Sequence, residues 1–123
     1  MPEQAKAFGK RILLVEDDPS ARESLNLLLR IDRHSVIEAT SSKAALDLFA
    51  KERFDLVIAD YFLPGMHGSE LARNIKQMVP SQQILLVTAY FEKLVDAQMP
   101  VDAILRKPFG VAELRQAIEK LLC

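Results

Sequence analysis

Short apolar runs alternate with longer amphipathic segments along most of this chain, and this alternation limits the fold more than any other feature. Each apolar run has the length and composition of a buried strand, and apolar residues recur at helical spacing in the segments between them. The predicted strands are 11–16, 34–39, 55–59, 83–88 and 102–106. The predicted helices begin at Pro19–Ser20 and at Ser41 or Ser42, or span 69–78, 91–98 and 111–122. The pattern predicts a (βα)5 fold, a doubly wound five-stranded parallel sheet of the α/β class.

Length and composition fit one ordinary globular domain. The chain has 123 residues and a formal net charge of -1, which argues against a nucleic-acid surface. Cys123 is the sole cysteine, so an internal disulfide is excluded. We expect a flexible tail over residues 1–9 and one domain over residues 10–123. With no signal peptide and no apolar run near the ~20 residues that span a bilayer, we expect a cytoplasmic location.

Helical spacing predicts which side chains face the core and which residues begin helices. Asp18 is predicted to cap the helix that opens with Pro19. His34 is predicted to lie at the surface at the start of a strand. The predicted inward residues are Leu25, Leu28, Leu29, Ala45, Leu46, Leu48, Phe49, Leu71, Ile75, Met78, Leu114, Ile118, Leu121 and Leu122.

Polar side chains follow four of the five predicted strands. Glu16 and Asp17 lie at the end of the first strand, Asp60 directly after the third, Thr88 at the end of the fourth and Lys107 directly after the fifth. The carboxyl ends of parallel strands line one crevice, in which ligands bind. Neighbouring carboxylates repel one another unless a cation such as Mg²⁺ joins them, and a hydroxyl with an ammonium can hold phosphoryl oxygens. Each residue alone is commonly structural, but together they predict a site for Mg²⁺ and a phosphoryl group.

Five short motifs in this order resemble the receiver domain of two-component response regulators, a CheY-like family. They are Ile12–Pro19, Asp55–Asp60, Leu63–Gly68, Val87–Ala89 and Lys107–Phe109. The resemblance implies a flavodoxin-like sheet with strand order 2-1-3-4-5. It also implies that Asp60 accepts the phosphoryl group and that Mg²⁺ or Mn²⁺ binds to Glu16, Asp17, Asp60 and the Phe62 backbone carbonyl.

The remaining site residues take their roles from the same resemblance. Thr88 is the switch hydroxyl, Lys107 pairs with Asp60 and the phosphoryl oxygens, and Ala89 is the small neighbour that leaves phosphorus accessible. Pro108 is expected to follow a cis peptide bond. Tyr90 and Phe62 flank the site, and we hypothesise that they shield the acyl phosphate from water.

The resemblance also implies partners. A phosphohistidine on a sensor histidine kinase or a phosphotransfer protein supplies the phosphoryl group, and an output domain or effector reads the switched state. Neither nucleic acid nor membrane is expected to bind directly. The domain is expected to be a signalling domain with slow autodephosphorylation and not an enzyme. A nucleotide-binding enzyme is disfavoured because no glycine-rich phosphate loop occurs.

Two departures from the family leave the output open. Ile104 occupies the position where relatives often have Tyr or Phe, so an aromatic swing cannot be the readout. The segment between Thr88 and Lys107 is short for the family, so the fourth helix is expected to be short, displaced or irregular. A weak homodimer, or an interaction module that works without phosphorylation, therefore stays an alternative. His67 replaces a common Asp and is assigned no chemistry.

Overall fold

One parallel sheet organises the chain in the computed structural model, which describes residues 7–94 and 98–122. Its strands are β1 (Arg11–Val15), β2 (Ser35–Ala39), β3 (Leu56–Asp60), β4 (Gln83–Thr88) and β5 (Ala103–Arg106), in the order β2-β1-β3-β4-β5. The helices are α1 (Pro19–Ile31), α2 (Ser42–Lys51), α3 (Gly68–Met78), α4 (Phe91–Leu94) and α5 (Val111–Leu122). The predicted doubly wound α/β fold and its strand order are confirmed.

Two hydrophobic layers cover the two faces of the sheet, because successive strand residues point to opposite sides. Leu13 and Val15 of β1 lie in the layer that includes Phe49 of α2 and Ile75 of α3. On the opposite face, the core includes Ile12, Leu14, Ile58 and Val87 from the strands, Leu25 and Leu29 from α1, and Leu114 and Ile118 from α5. Burial on both faces explains why the central strands are continuously apolar in the sequence.

The helix starts follow from side-chain capping. Asp18 is the N-cap of α1, and its Oδ2 accepts a hydrogen bond of 2.8 Å from the Ala21 N–H. Pro19 occupies the first helical position, where a missing N–H carries no cost. Ser41 caps α2 by accepting a 3.1 Å hydrogen bond from the Ala44 N–H. The predicted cap at Asp18 is confirmed, and Ser41 is the cap of α2.

Two of the predicted burial assignments are wrong. His34 was expected at the surface but is only 4% exposed, and its Nδ1 accepts a 3.0 Å hydrogen bond from the Lys10 N–H. It directly precedes β2, and its backbone N–H donates to the Leu29 carbonyl of α1 at 3.3 Å. Met78 was expected to face inward but is 47% exposed, because it is the last residue of α3. The buried face of that helix ends with Leu71, Ala72 and Ile75.

The structure describes part of the predicted N-terminal tail and part of the predicted fourth helix. Ala7 is buried in the layer beside α1 and α5, and the Gly9 N–H donates to the Asp32 carbonyl at 3.1 Å. Residues 7–9 of the expected tail therefore pack on the domain, while residues 1–6 lie outside the described residues. Of the predicted helix 91–98, α4 accounts for Phe91–Leu94, and residues 95–97 lie outside the description. Within the described ranges, no helix has the length and apolarity to cross a membrane.

Candidate functional site

Three carboxylates meet at the carboxyl end of the sheet. Glu16 and Asp17 follow β1, and Asp60 is the last residue of β3. These strands are neighbours in register, with Val15 opposite Ala59, so the acids are brought side by side. One oxygen from each carboxylate lies within 4.8 Å of the others. Glu16 is buried, Asp60 is partly buried and Asp17 is exposed, so the cluster opens from the protein interior to solvent.

The ammonium of Lys107 joins two of these acids. Its Nζ lies 3.2 Å from Oε1 of Glu16 and 3.3 Å from Oδ2 of Asp60. The backbone directs it there, since Lys107 follows β5 and its N–H donates to the Thr88 carbonyl at 2.9 Å. The peptide bond between Lys107 and Pro108 is cis. The lysine thus supplies a cation at the inner side of the carboxylate cluster.

Burial and charge act together on the ionisation of this cluster. Burial raises the pKa of Glu16, and the nearby Asp60 carboxylate raises it further, against the hydrogen bond from the Asp18 N–H and the charge of Lys107. For Lys107, burial lowers the pKa, but the charges of Asp60 and Glu16 outweigh burial and raise it overall. The lysine therefore stays charged at neutral pH, and the crowded carboxylates favour further positive charge.

Thr88 ends β4, which lies between β3 with Asp60 and β5, the strand that precedes Lys107. In β4 it pairs with Arg106 of β5, while the preceding Val87 pairs with Asp60 of β3. Thr88 is buried, and its Oγ1 accepts a 2.9 Å hydrogen bond from the Tyr90 N–H. Its hydroxyl hydrogen remains available to donate, because this contact uses only an acceptor lone pair.

The other predicted site residues have different placements. Ala89 is exposed directly after β4, and Pro108 directly follows Lys107. Ile104 lies within β5 opposite Leu86 and is partly buried, so it belongs to the sheet and not to the carboxylate cluster.

Four rings lie together beside the acids. Phe62 contacts Tyr90 at a centroid distance of 4.9 Å, Tyr61 at 4.9 Å and His67 at 5.2 Å. Phe62 and Tyr90 are 45% and 47% exposed, so they stand at the solvent side. The sequence singled out Phe62 and Tyr90 but not Tyr61 and His67. Tyr61 and His67 lie in the turn between β3 and α3, which brings their rings against Phe62.

Gly68 is a site residue that the sequence did not single out, although it lies in a quoted motif. A Cβ at this position would stand 2.3 Å from the Asp60 carbonyl oxygen and 2.8 Å from Cδ1 of Leu86. The Gly68 N–H also donates to the Tyr61 carbonyl at 2.6 Å. The first turn of α3 therefore packs directly on the backbone of Asp60.

Comparison with known families identifies the class of protein to which this fold and this site belong. The chain matches the family model described as response regulator receiver domain over residues 12–119. It therefore belongs to the response regulator receiver domain family, whose members are signalling domains of two-component phosphorelays.

Similar proteins agree with this assignment. Over 116 residues the chain is 37% identical to the response regulator protein FleR of Pseudomonas aeruginosa, covering 92% of this chain but 24% of FleR. Over 118 residues it is 32% identical to sporulation initiation phosphotransferase F of Bacillus subtilis, covering 94% of this chain and 95% of that protein. The solved structure of TrrA from Thermotoga maritima, in complex with Mg²⁺-BeF, has a TM-score of 0.86 and 35% identity, covering 92% of this chain and 99% of TrrA.

Proposed function

We propose that this domain accepts a phosphoryl group on Asp60 from a phosphohistidine of a sensor histidine kinase or phosphotransfer protein. The reaction depends on Mg²⁺, and the phosphorylated state changes the binding of a partner or the activity of an output domain. The observation that carries the proposal is the meeting of Glu16, Asp17 and Asp60 within 4.8 Å beside the Lys107 ammonium. Such a set suits a dianionic phosphoryl group and its counter-cation.

The donor chemistry of the cluster fits Mg²⁺. Mg²⁺ takes oxygen ligands, retains several waters and is usually held by one or two carboxylates with phosphate oxygens. Asp17, the most exposed of the three acids, would be a direct ligand of the ion, together with Asp60 and the Phe62 carbonyl. The buried Glu16 would face the ion from the protein interior. Mn²⁺ would suit the same donors. When bound, the ion neutralises charge between the carboxylates and the phosphoryl oxygens. The Mg²⁺-BeF complex of the similar TrrA supports this assignment.

Four residues of the chain have separate roles in the transfer of the phosphoryl group. A carboxylate oxygen of Asp60 attacks phosphorus and forms the P–O bond, while the P–N bond of the donor breaks and its electron pair stays on the imidazole nitrogen, which leaves as neutral imidazole because the other ring nitrogen already carries a proton. Lys107 and the Thr88 hydroxyl stabilise the equatorial oxygens. The small side chain of Ala89 leaves room for the group. Slow attack of water on the acyl phosphate later returns the free Asp60.

Partners and location belong to the same proposal. The donor is a phosphorelay protein of the cytoplasm, and the reader is an effector or an output domain. FleR, of which the chain spans 24%, shows that a similar domain occurs within a longer chain. The near-neutral balance of 16 basic and 17 acidic residues gives no reason to assign nucleic acid to this domain.

Intact-mass spectrometry after incubation with acetyl phosphate tests the proposal. We expect a gain of one phosphoryl group by the wild-type protein with Mg²⁺, no gain with a chelator, and no gain by Asp60→Asn. Asp17→Asn is the matched variant that retains the acceptor, and its gain should require more Mg²⁺. The absence of any gain would reject the proposal and favour a receiver-like interaction or dimerisation module, to which Ile104 is suited.

A further inference from the structure

Arg22 reaches back from α1 to the turn that carries two of the acids. Its Nη1 donates to the Glu16 carbonyl at 3.0 Å and approaches the Asp17 carbonyl at 3.5 Å. Its Nε lies 3.6 Å from Oε1 of Glu38 in β2. The Arg22 side chain is only 20% exposed, and its contact with the Glu16 carbonyl is partly buried.

The turn formed by Glu16 and Asp17 has other contacts besides those with Arg22. The Glu16 N–H donates to the Ala39 carbonyl at 3.0 Å, and the Glu16 side chain is held by the Asp18 N–H at 3.2 Å and by Lys107. Asp17 is exposed, so the placement of its carboxylate depends on its backbone. The guanidinium contacts the two carbonyls that fix this backbone.

The charge of Arg22 is balanced on the side away from the acids. Glu38 pairs with Arg22, the Asn26 amide donates to Glu38, and Arg30 donates to Asn26. An unbalanced cation near the three carboxylates would oppose binding of a divalent ion. The pair of Arg22 and Glu38 holds the turn with little net charge.

We propose that Arg22 is a positioning residue for the divalent cation. It fixes the backbone of Glu16 and Asp17 so that their carboxylates keep the spacing that Mg²⁺ requires, and Glu38 neutralises its charge. The inference rests on the proposed function, since it concerns the same cation. Groups that orient metal ligands commonly change metal affinity by about 10- to 100-fold when they are removed.

Titration calorimetry with Mg²⁺ alone separates positioning from electrostatics. Positioning predicts that Arg22→Met weakens Mg²⁺ binding by about tenfold and that Arg22→Lys, which retains a donor and the charge, recovers part of the loss. A purely electrostatic role predicts tighter binding by Arg22→Met. Arg73→Met is the control, because it removes the same charge from an exposed position of α3, outside the contacts of Arg22 and Glu38, and its affinity should stay near the wild-type value.

The rate of phosphorylation by acetyl phosphate gives a second readout. Arg22→Met should need more Mg²⁺ for half-maximal rate but reach the wild-type rate at saturation. A Mg²⁺ affinity of Arg22→Met equal to or tighter than that of the wild type would overturn the inference alone. Failure of the wild type to bind Mg²⁺ would instead overturn the proposed function.

A second variant keeps the test decisive if Arg22→Met does not fold. Glu38→Gln removes the carboxylate that holds Arg22, so its Mg²⁺ affinity should fall severalfold and the loss should persist at high salt, whereas a loss that recovers at high salt would show repulsion by the unbalanced charge instead of lost positioning. An affinity of Glu38→Gln that equals the wild-type value at low salt would count against the inference.

Discussion

The ring of Phe62 meets the ring of Tyr90 edge to face, with 4.9 Å between centroids and 69° between planes. The contact joins the loops that follow β3 and β4, beside Asp60. Our hypothesis that these rings shield the acyl phosphate from water predicts that Phe62→Ser and Tyr90→Ser each shorten its lifetime severalfold. Decay of the phosphorylated protein, followed by intact mass, measures this. Phe8→Ser is the control, since Phe8 is equally exposed but contacts Arg33. Unchanged decay in both ring variants would remove the shielding role.

Replacing Lys107 with Met should make the domain depend on Mg²⁺ for stability. The change leaves the buried Glu16 and Asp60 without their ammonium partner, which we expect to cost about 2 kcal/mol. The same loss of positive charge should tighten Mg²⁺ binding, so Mg²⁺ should raise the melting temperature of the variant more than that of the wild type.

The control for Lys107 is Arg115→Met. Arg115 forms a two-bond ion pair with Asp32 at 2.7 and 2.9 Å, away from the carboxylate cluster. Its loss should leave the response to Mg²⁺ unchanged. Equal Mg²⁺ responses of Lys107→Met and wild type in thermal unfolding would contradict the prediction.

Gly68→Ala should disturb Asp60 through the backbone. The new Cβ would lie 2.3 Å from the Asp60 carbonyl oxygen, so β3 and α3 must separate, at about 1–3 kcal/mol. Urea unfolding measures the loss, and slower phosphorylation should accompany it. Gly65→Asn is the control in the same loop, since Asn tolerates its φ of 80° and no atom lies within 4 Å of a Cβ there. A Gly68→Ala protein as stable and as reactive as the wild type would show that the strand adapts freely.

His34 should make the domain less stable in mild acid. Burial lowers the pKa of His34, with the Asp32 and Asp55 carboxylates opposing this effect and Lys10 adding to it. The unfolded chain therefore takes up a proton on His34 more readily, and the stability that the neutral ring contributes is lost as pH falls below its unfolded pKa of about 6.5.

The check on His34 compares melting temperatures at about pH 7.5 and about pH 5.5. His34→Asn places an oxygen near the position of Nδ1, so it can still accept from the Lys10 N–H but cannot titrate. Its loss of stability on acidification should be smaller than that of the wild type. Parallel pH curves for wild type and His34→Asn would exclude the assignment.

The sequence predicted the elements because strands buried on both faces must be apolar throughout, as Ile12 to Val15 are. It predicted the positions of Glu16, Asp60 and Lys107 because the ends of parallel strands share one edge of the sheet. Their distances from one another depend on the register of the strands, which the sequence pattern does not contain.

Other features depend on tertiary packing that leaves little trace in the sequence. The burial of His34 is satisfied by one backbone N–H from Lys10, a residue 24 positions away. Arg22 has the spacing of an ordinary polar residue on α1, and its contact with the Glu16 carbonyl depends on how the turn before α1 folds back toward the helix. Gly68 differs, since a glycine at the start of a helix indicates that another backbone lies close.

The contact between Glu16 and Lys107 joins residues 91 positions apart. It therefore links the ends of β1 and β5, the first and last strands along the chain. Contacts of such long range form only when the intervening chain has been arranged. If Asp60 accepts a phosphoryl group as proposed, reactivity toward a phosphodonor is therefore a test of complete folding. A nascent or truncated chain that lacks β5 would carry the acids without their lysine, and we expect it to react poorly until synthesis and folding are finished.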